Sequence, residues 1–396
     1  MRKNIEIEEA YKIFENNIKD VEIEEIDISK GLGYILAEDI YSPINQPPFS
    51  KSAMDGITLN FKNLKENFEF TINSTIYAGD DCSFNLKDNE VYRIMTGAKI
   101  PVHCDIVIPQ ENCIFYNGRV IIKKFGKKGS NICFLGEDFQ KGELLLKKGE
   151  KLDYINLALL SSIGVTKIKV YKKIKIALLI SGDEVSSPWE TLKAGKIFDS
   201  NGMLLTQRLK ELGYEVSIFE YLEDSALKTS IKLKELASQV DIIFTTGGVS
   251  VGEKDIFHEA IELARGKKLF WRVNLKPGTP ALFSTIDNCP ILSLSGNPFA
   301  ACVTFELLGR YILGALQKDP LLPLKKNSGV LISDFPKGGD KRRFIRGRYS
   351  NGKVEIPNGL HSSYALGSMR GCNVLIDIPA GSEGIKSGEE IVIWEL

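Results

Sequence analysis

The spacing of apolar and polar residues changes character several times along the chain. Apolar residues at helical spacing predict a short amphipathic helix over Ile7–Asn17. An extended stretch over 34–41 follows, and Pro43, Pro47 and Pro48 then interrupt the pattern. Because proline restricts the backbone and removes a hydrogen-bond donor, this segment marks the first predicted domain boundary.

The next part of the chain has the two-residue period of β-strands. Asn117-Gly118 stands between two such runs, and this dipeptide is typical of tight hairpin turns. A helical pattern returns only at Asn156–Ser162. We therefore predict a β-rich insert domain over 46–135, set between two pieces of an elongated linker domain, 1–45 and 136–170.

Short apolar runs alternate with helical patterns over 171–318. The runs are Ile174–Ile180, Glu215–Phe219, Asp241–Thr245 and Pro290–Leu294. Such alternation predicts a parallel sheet with helices on both faces, which is a three-layer α/β domain. Residues 319–396 instead show short β runs separated by Gly and Pro, which predict a small β-barrel. The fold class is thus α/β and multi-domain.

Composition narrows the function. The 396 residues include 51 Lys+Arg and 51 Asp+Glu, so the basic excess of a nucleic-acid-binding protein is absent and no nucleic-acid partner is predicted. No uninterrupted apolar run approaches the roughly 20 residues of a membrane span. The three histidines are far apart in sequence, and the odd number of cysteines lacks a CxxC pair. We therefore predict a cytoplasmic protein that has reduced thiols, no membrane partner and no paired-histidine zinc site.

Polar loops follow three of the predicted strands, at the edge where parallel sheets bind ligands. Ser181-Gly182-Asp183-Glu184 offers two adjacent carboxylates, which suit Mg²⁺, although a solvated turn is the commoner role of such a tetrapeptide. The loop Thr246–Gly252 has three glycines and a serine between strand and helix, and it predicts a phosphate cradle rather than a tight connection. Asp255 follows it, and a carboxylate beside a phosphate suggests an intervening metal ion.

Other loops give weaker signals. Ser295–Pro298 has the residues of a well-made helix start. Lys276–Pro280 is a stiff loop with one cation that suits an oxyanion, although a surface lysine is the default interpretation. Asp55 and Thr96 lie in turn-like segments of the insert domain as small oxygen donors, suited to a metal, an oxyanion or a turn.

Together these segments resemble one family, the molybdopterin molybdenumtransferases. The resemblance covers nearly the whole chain in the family's order, and it rests on Ser52–Gly56, Arg93–Ala98, Gly136–Asp138, Ser181–Glu184, Asp199–Asn201, Thr246–Gly252 with Asp255, Lys276–Pro280 and Ser295–Pro298. It implies a homodimer with four domains per chain. It also implies Mg²⁺-dependent insertion of molybdate into adenylyl-molybdopterin, which releases AMP and the molybdenum cofactor. The upstream molybdopterin adenylyltransferase is the implied functional partner.

The resemblance also implies roles for individual residues. The implied catalytic residues are Asp55, Thr96, Glu184, Asp255 and Lys276, the first two coming from the partner subunit. The implied metal ligands are Glu184, Asp255 and Asp183. The implied substrate-binding residues are Ser181, Gly182, Asp183, Ser200, Asn201, Gly247, Gly248, Ser250, Gly252, Pro277, Gly278, Ser295, Gly296 and Asn297.

The chain departs from the family pattern at Thr279, where a second lysine is common. This change predicts weaker molybdate binding, a preference for another oxyanion such as tungstate, or a compensating lysine elsewhere. Two other functions remain open. One is molybdopterin adenylyltransferase activity, since the two enzymes share an α/β module. The other is that of a non-catalytic pterin-binding scaffold, as in gephyrin-like proteins.

Overall fold

A seven-stranded sheet forms the centre of the computed structural model, which describes residues 1–81, 85–249 and 256–396. From edge to edge its strands are Arg2–Ile5, Lys267–Val273, Leu282–Ile286, Cys289–Leu294, Ile242–Thr246, Ile176–Ser181 and Val216–Leu222. The last four are parallel, as predicted. Leu282–Ile286 is antiparallel to both its neighbours, so the sheet is mixed rather than purely parallel.

Helices cover both faces of this sheet, which confirms the predicted three-layer α/β domain. They are Asn201–Glu211, Ala226–Leu236, Ile256–Leu263, and a continuous segment made of Pro298–Thr304, the π-helical turn Phe305–Gly309, and Arg310–Gln317. Each face of the sheet has its own hydrophobic core, and neighbouring strand residues point to opposite faces. Leu178 is buried in one core and Leu179 in the other. Full burial of each such side chain contributes about 1.5–3 kcal/mol to folding.

The helical segment Pro298–Gln317 is, among the described residues, long and apolar enough to cross a membrane by length and composition alone. Its most apolar window is 83% buried inside the protein. Leu308 and Ile312 are fully buried there against the central sheet's core. The segment is therefore the central helix of a protein core.

The N-terminal segment packs on the α/β domain, which differs from the prediction that 1–45 belongs to the linker domain. Arg2–Ile5 adds a parallel strand beside Lys267–Val273. The helix Ile7–Glu15 buries Ile7, Ala10 and Phe14 in the same core as the central sheet. The apolar face of the predicted amphipathic helix thus packs on residues some 260 positions away in the sequence, a contact that local periodicity does not reveal.

The linker domain is built from short antiparallel pairs and one helix. Its elements are Ile23–Asp27 with Lys167–Tyr171, Ile40–Tyr41 with Leu144–Leu146, the 3₁₀ turn Ile28–Lys30 and the helix Tyr154–Ser162. Asp153 and Asn156 cap that helix reciprocally. The two chain pieces share one core, in which Leu36 and Val170 are fully buried.

The insert domain contains a six-stranded sheet, in agreement with its β-rich pattern. In spatial order the strands are Ile106–Pro109, Gly56–Leu59, Glu90–Ile94, Glu69–Ile76, Arg119–Ile122 and Cys113–Tyr116. The predicted hairpin turn at Asn117-Gly118 joins the last two strands, and both its residues have positive φ. Additional elements are the pair Lys51–Ser52 and Ile132–Cys133 and the 3₁₀ turns Phe61–Asn63 and Gln110–Asn112.

The C-terminal domain is a closed five-stranded β-barrel, as the sequence predicts. Its strands are Lys326–Leu331, Arg342–Ser350, Lys353–Glu355, Val374–Ile378 and Glu390–Glu395, with a 3₁₀ turn at Gly367–Met369. Leu275–Lys276 of the α/β domain adds to the strand Arg342–Ser350. Phe344 and Trp394 bury into the α/β core, so the barrel is packed against the sheet domain.

Candidate functional site

The described residues form a cleft of about 690 Å³ at the carboxyl ends of three neighbouring parallel strands. It is lined by the loops after Ile176–Ser181, Ile242–Thr246 and Cys289–Leu294. Lys276–Pro280 and two residues of the barrel domain, Ser363 and Tyr364, also line it. The cleft therefore lies where ligands of parallel sheets bind and is closed by a second domain.

Glycines bring two of these loops into backbone contact. Gly247 has φ +86°, and a Cβ there would lie 2.3 Å from the backbone oxygen of Ser181. A Cβ on Gly296 would lie 3.4 Å from the Cα of Gly247. Only glycine fits at position 247, so the backbone itself lines the cleft at this point and can approach an anion closely.

Glu184 is the acidic group of the Ser181–Glu184 loop that lines the cleft. Its carboxylate folds back over Gly182, where a Cβ would lie 2.9 Å from both carboxylate oxygens. Gly182 itself has φ +138°. The short strand Val185–Ser186, paired with Ile197–Phe198, fixes the backbone after Glu184. Gly182 thus serves the site by making room for the Glu184 side chain.

Asn201 begins a helix and reaches across the cleft floor. Its Nδ2 donates to the backbone oxygen of Gly296 at 2.8 Å, which ties the helix start to the loop after the last parallel strand. The residue is 93% buried, and its Oδ1 has no hydrogen-bond partner in the structure. A buried amide oxygen without a partner costs about 1–3 kcal/mol, so this position favours a ligand that donates an N–H.

Asp199 is fixed by two hydrogen bonds beside the cleft. Oδ1 accepts from the backbone N–H of Gly202 at 2.9 Å, and Oδ2 accepts from the hydroxyl of Tyr221 at 3.2 Å. Burial, followed by the Asp199 charge, raises the pKa of Tyr221, so this hydroxyl stays protonated and keeps donating. The carboxylate therefore holds one orientation.

The helix after Ser295–Asn297 starts as predicted, with Pro298 at its first position. Asn297 occupies the N-cap position but makes no side-chain cap hydrogen bond, in contrast to the usual role of such a residue. The N–H groups of Phe299 and Ala300, which have no partner within the helix, instead donate to the backbone oxygen of Ser363, at 2.9 and 3.3 Å. The barrel domain thus caps this helix and closes the cleft.

Arg346 holds the barrel loop that contains Ser363 and Tyr364 through hydrogen bonds to the residues next to them. It is fully buried, and its guanidinium carbon lies 3.6 Å from the ring centroid of Phe299. It donates to the backbone oxygens of Ala365 and Ser362 and to the hydroxyl of Ser368. Burial lowers the pKa of Arg346 to about 10, which leaves it charged at neutral pH.

Lys276 is exposed on the cleft wall, and Gly278 places the following turn against the central helix. A Cβ on Gly278 would lie 2.4 Å from Cγ2 of Thr304. Thr279, at the position where a second lysine was expected, donates its hydroxyl to the backbone oxygen of Leu275 at 2.6 Å. The threonine therefore stabilises the turn, and Lys276 is the lysine that lines the described part of the cleft.

Asp183 does not line the cleft. Its Oδ1 accepts from the backbone N–H of Asp224 at 3.1 Å, and its own N–H donates to the Asp224 carboxylate at 3.2 Å. Asp224 also accepts from the Ser181 hydroxyl at 3.0 Å. These mutual hydrogen bonds explain the difference from the predicted ligand role, because they turn Asp183 toward the neighbouring loop.

Asp55 and Thr96 form a pair in the insert domain, apart from the cleft of their own chain. Thr96 donates both its backbone N–H and its hydroxyl to Asp55 Oδ1, at 2.8 and 2.7 Å. These hydrogen bonds lower the pKa of Asp55, the backbone one contributing most. Neither residue lines the cleft. The sequence prediction that both complete a site from the partner subunit is compatible with this placement.

The donor set of the cleft fits a magnesium ion only if a bound phosphate supplies further oxygen ligands. Within 1–81, 85–249 and 256–396, no group of three or more His, Cys, Asp or Glu side chains could hold a metal ion by itself. Glu184 offers one open carboxylate. Mg²⁺ commonly uses one or two carboxylates, substrate phosphates and waters, so Glu184 suffices as the protein's anchor within the described residues.

The structure brings most of the predicted site residues together. Those that line the cleft are Ser181, Glu184, Ser200, Asn201, Gly247, Gly248, Lys276, Pro277, Gly278, Ser295, Gly296 and Asn297. The predicted residues Ser250, Gly252 and Asp255 lie outside the described residues. Sequence reasoning missed Ser363, Tyr364 and Arg346, since no local pattern relates the barrel to the cleft.

Comparisons with known proteins cover all four domains. Family models match the chain as the MoeA N-terminal region (domain I and II) over residues 5–164, a probable molybdopterin binding domain over 177–315, and the MoeA C-terminal region (domain IV) over 324–396. The molybdopterin molybdenumtransferase of Staphylococcus aureus (strain COL) is 31% identical over 404 residues, covering 99% of this chain and 96% of the relative. The Haemophilus influenzae enzyme of the same name is also 31% identical, covering 93% of each chain. A crystal structure of the MoeA protein from Pyrococcus horikosii superposes with a TM-score of 0.85 at 30% identity, covering 99% of both chains.

Proposed function

Since this chain belongs to the molybdopterin molybdenumtransferase family, we propose that it inserts molybdate into adenylyl-molybdopterin with the help of Mg²⁺ and releases AMP. Family membership confirms the predicted enzyme class, a transferase of molybdenum cofactor biosynthesis that acts by molybdenum insertion. The adenylylated substrate, the metal ion and the released AMP are parts of the proposal that the geometry of the cleft supports.

The observation that carries the proposal is the junction of Gly247, Gly296 and Ser181 at the carboxyl ends of three parallel strands. Backbone groups at such a junction bind a phosphate without a competing side chain. The unpartnered Oδ1 of Asn201 lies on the same floor and accepts an N–H, which a pterin ring supplies. A phosphorylated pterin therefore satisfies both features at once.

Glu184 anchors the divalent cation on the phosphoanhydride side of the substrate. When bound, Mg²⁺ neutralises phosphate charge and so eases attack of water on the anhydride phosphorus. Water forms the new P–O bond, the anhydride P–O bond breaks, and AMP leaves from the pterin phosphate. The short strand Val185–Ser186 fixes the backbone next to Glu184, and Gly182 leaves room for the Glu184 carboxylate, so this side chain has access to the cleft before substrate arrives.

Lys276 supplies positive charge for the molybdate dianion. Its side chain lines the same cleft as the glycine junction, on a turn that Gly278 and Thr279 hold in place. Thr279 contributes no charge, so a single lysine of the described cleft attracts the oxyanion. This supports binding of molybdate at moderate affinity, with Arg346 holding the facing loop.

The test is release of AMP from adenylyl-molybdopterin by purified protein, with molybdate and Mg²⁺ present or replaced by a chelator. We expect AMP release to require both molybdate and Mg²⁺. The rate of AMP release should fall at least 100-fold in Glu184→Ala, since removal of one charge-stabilising group typically costs that much. Asp183→Ala is the matched control, because that carboxylate is turned away from the cleft. Equal loss in both variants would show that Glu184 has no special role.

We also propose a homodimer in which Asp55 and Thr96 enter the cleft of the partner subunit. The helix Tyr154–Ser162 consists mostly of apolar residues, yet of its residues only Leu160 is buried. Tyr154, Ile155 and neighbouring Leu32 are 74%, 58% and 61% exposed. An apolar helix that is exposed in one chain is typical of a subunit interface, and a second copy of the chain is the occupant that also completes the site.

Mixing two inactive variants tests this arrangement. If Asp55→Asn and Lys276→Ala affect clefts of opposite subunits, random dimers recover about a quarter of wild-type activity, because one cleft of each mixed dimer is intact. Mixing Lys276→Ala with the double variant restores no intact cleft and serves as the control. Failure of the first mixture to recover activity, although mixed dimers form, contradicts the proposal.

We further propose a cytoplasmic location and receipt of the substrate from an upstream molybdopterin adenylyltransferase. Cys289 and Cys302 are buried free thiols, which suits a reducing compartment. An adenylylated pterin has to be made before molybdate insertion, so an enzyme that transfers AMP to molybdopterin must precede this one.

A further inference from the structure

The barrel segment that closes the cleft contains a histidine, His361, that the proposed hydrolysis leaves unused. It directly precedes Ser362, whose backbone oxygen accepts from Arg346 at 3.0 Å. The next backbone oxygen, that of Ser363, accepts from the start of the central helix. On the other side of the histidine, the backbone oxygen of Leu360 accepts from a serine hydroxyl at 2.6 Å. His361 therefore lies in the middle of a segment whose backbone is held on both sides.

The ring of His361 is fixed in one tautomer. Its Nε2 lies 2.9 Å from the backbone oxygen of Pro357, and since a carbonyl oxygen only accepts, this nitrogen carries the hydrogen. Nδ1 of the neutral ring is therefore an acceptor, and it is buried without a hydrogen-bond partner among the described residues. Phe335 packs edge to face against the ring, with the two centroids 5.7 Å apart. A second proton has to go to Nδ1, which is shielded from water.

The charged groups that act on His361 have one sign. Arg346, on the barrel strand, and Lys337, on the loop before it, are the charged side chains of the described residues that shift its pKa, and both are cations. Burial lowers the pKa of His361 most, the hydrogen bond to Pro357 raises it, and the two cations lower it. The histidine is therefore neutral at pH 7, and a proton that it takes up at lower pH adds a third positive charge.

We propose that His361 is a positioning residue of the cleft: its neutral ring holds the segment 362–364 against the start of the central helix, and protonation of the ring releases this segment. The inference rests on the proposed function, because the substrate of that function is the ligand that needs the closed wall. Ser363 and Tyr364 line the cleft, and the Ser363 backbone oxygen accepts from the N–H of Phe299, so release opens the cleft and uncaps the helix together. The substrate therefore binds the neutral form more tightly.

A fall in pH favours the released segment. Once released, the ring regains the ordinary histidine pKa of about 6.5, so below that pH the released form binds more protons than the closed form. Lowering the pH from 7 to 5.5 therefore raises the ratio of released to closed protein by at most about 8-fold, the limit for a ring that takes up no proton while the segment is closed. The KM for adenylyl-molybdopterin should rise as this ratio rises.

Steady-state AMP release by the full-length protein at pH 7 and pH 5.5, with saturating molybdate, tests the inference. On lowering the pH, the KM for adenylyl-molybdopterin should increase by a factor about 2- to 8-fold larger in the wild type than in His361→Gln, whose amide can still donate to the Pro357 oxygen but takes up no proton. The kcat should change by the same factor in both proteins. His103→Gln, which replaces a half-buried histidine of the insert domain, is the matched control and should behave as the wild type.

Histidine NMR gives a readout that does not depend on turnover. The Cε1 proton of His361 should titrate below pH 6.5 in the free protein, and at a lower pH once adenylyl-molybdopterin is bound with a chelator in place of Mg²⁺. Lys337→Gln should raise the pKa of His361, because it removes one of the two cations, and should raise the pH at which the KM increases. This variant keeps the test decisive if His361→Gln fails to fold.

An equal increase of the KM in the wild type and His361→Gln overturns the inference, as does a His361 pKa that neither adenylyl-molybdopterin nor Lys337→Gln changes. In either case molybdate-dependent AMP release by the wild type at pH 7 shows that the proposed function still stands. Absence of that release, together with a His361 pKa that falls when adenylyl-molybdopterin binds, would contradict the proposed function and support the inference.

Discussion

Replacing Arg346 by methionine should loosen the wall that the barrel domain contributes to the cleft. Arg346 donates to the backbone oxygens of Ser362 and Ala365 and to the Ser368 hydroxyl, and it stacks on Phe299. At about 1 kcal/mol net for each hydrogen bond, the three contribute about 3 kcal/mol. Loss of the ring contact adds about 1 kcal/mol, and methionine recovers part of the total because no buried charge remains. We expect a net loss of about 2–3 kcal/mol.

Urea denaturation measures this loss, and steady-state kinetics show where it acts. The loop that carries Ser363 caps the central helix, so the KM for molybdate and the KM for adenylyl-molybdopterin should both rise, while AMP release at saturation falls less. Arg346→Lys keeps the charge, but a lysine cannot reach all three acceptors. The urea midpoint and the KM values of this variant should therefore lie between those of the wild type and of Arg346→Met. An unchanged urea midpoint with unchanged kinetics in Arg346→Met would show that Arg346 does not hold this loop in place.

Further predictions concern the cleft and its pH response. Gly247→Ala should raise the KM for adenylyl-molybdopterin at least tenfold. The new Cβ would lie 2.3 Å from the Ser181 backbone oxygen, and a φ of +86° costs an alanine about 1–2 kcal/mol. Initial rates measure the KM, and an unchanged value would contradict this prediction. Thr279→Lys should lower the KM for molybdate by about 2- to 5-fold at low salt, an effect that added salt should reduce and that a neutral Thr279→Gln should not reproduce. Lowering the pH below about 6.5 should reduce the free energy of unfolding, since burial lowers the pKa of His258 and His361 and the unfolded chain then binds more protons. Urea midpoints at pH 7 and pH 5 check this, and the double variant His258→Gln, His361→Gln should show a smaller difference between them.

Local sequence patterns predicted the elements whose partners are close in the chain. The apolar runs at Ile176–Ser181 and Ile242–Thr246 are buried on both faces, so their composition alone identifies them as central strands. Asn117-Gly118 likewise predicted its hairpin because positive φ at both positions is a local requirement.

Local sequence patterns did not predict the contacts between segments that are far apart in the chain. The strand Arg2–Ile5 has the charged sequence of an edge strand, and only its pairing with Lys267–Val273 gives it a place. Asp183 and Glu184 were both predicted as metal ligands, and only the hydrogen bonds between Asp183 and Asp224 show that Asp183 is turned away from the cleft. Ser363 reaches the cleft because Arg346 fixes its loop, a relation between two barrel segments and a helix start.

We claim that this cleft inserts molybdenum into an adenylylated pterin. The most direct measurement is a single-turnover reaction of the purified protein with adenylyl-molybdopterin, molybdate and Mg²⁺, in which released AMP and the molybdenum cofactor are both quantified, the latter by activation of a cofactor-free molybdenum enzyme. We predict equal amounts of AMP and cofactor, dependence on molybdate, and loss of both products in Lys276→Ala. Tight pterin binding without either product, or ATP-dependent adenylylation of free molybdopterin instead, would contradict the claim.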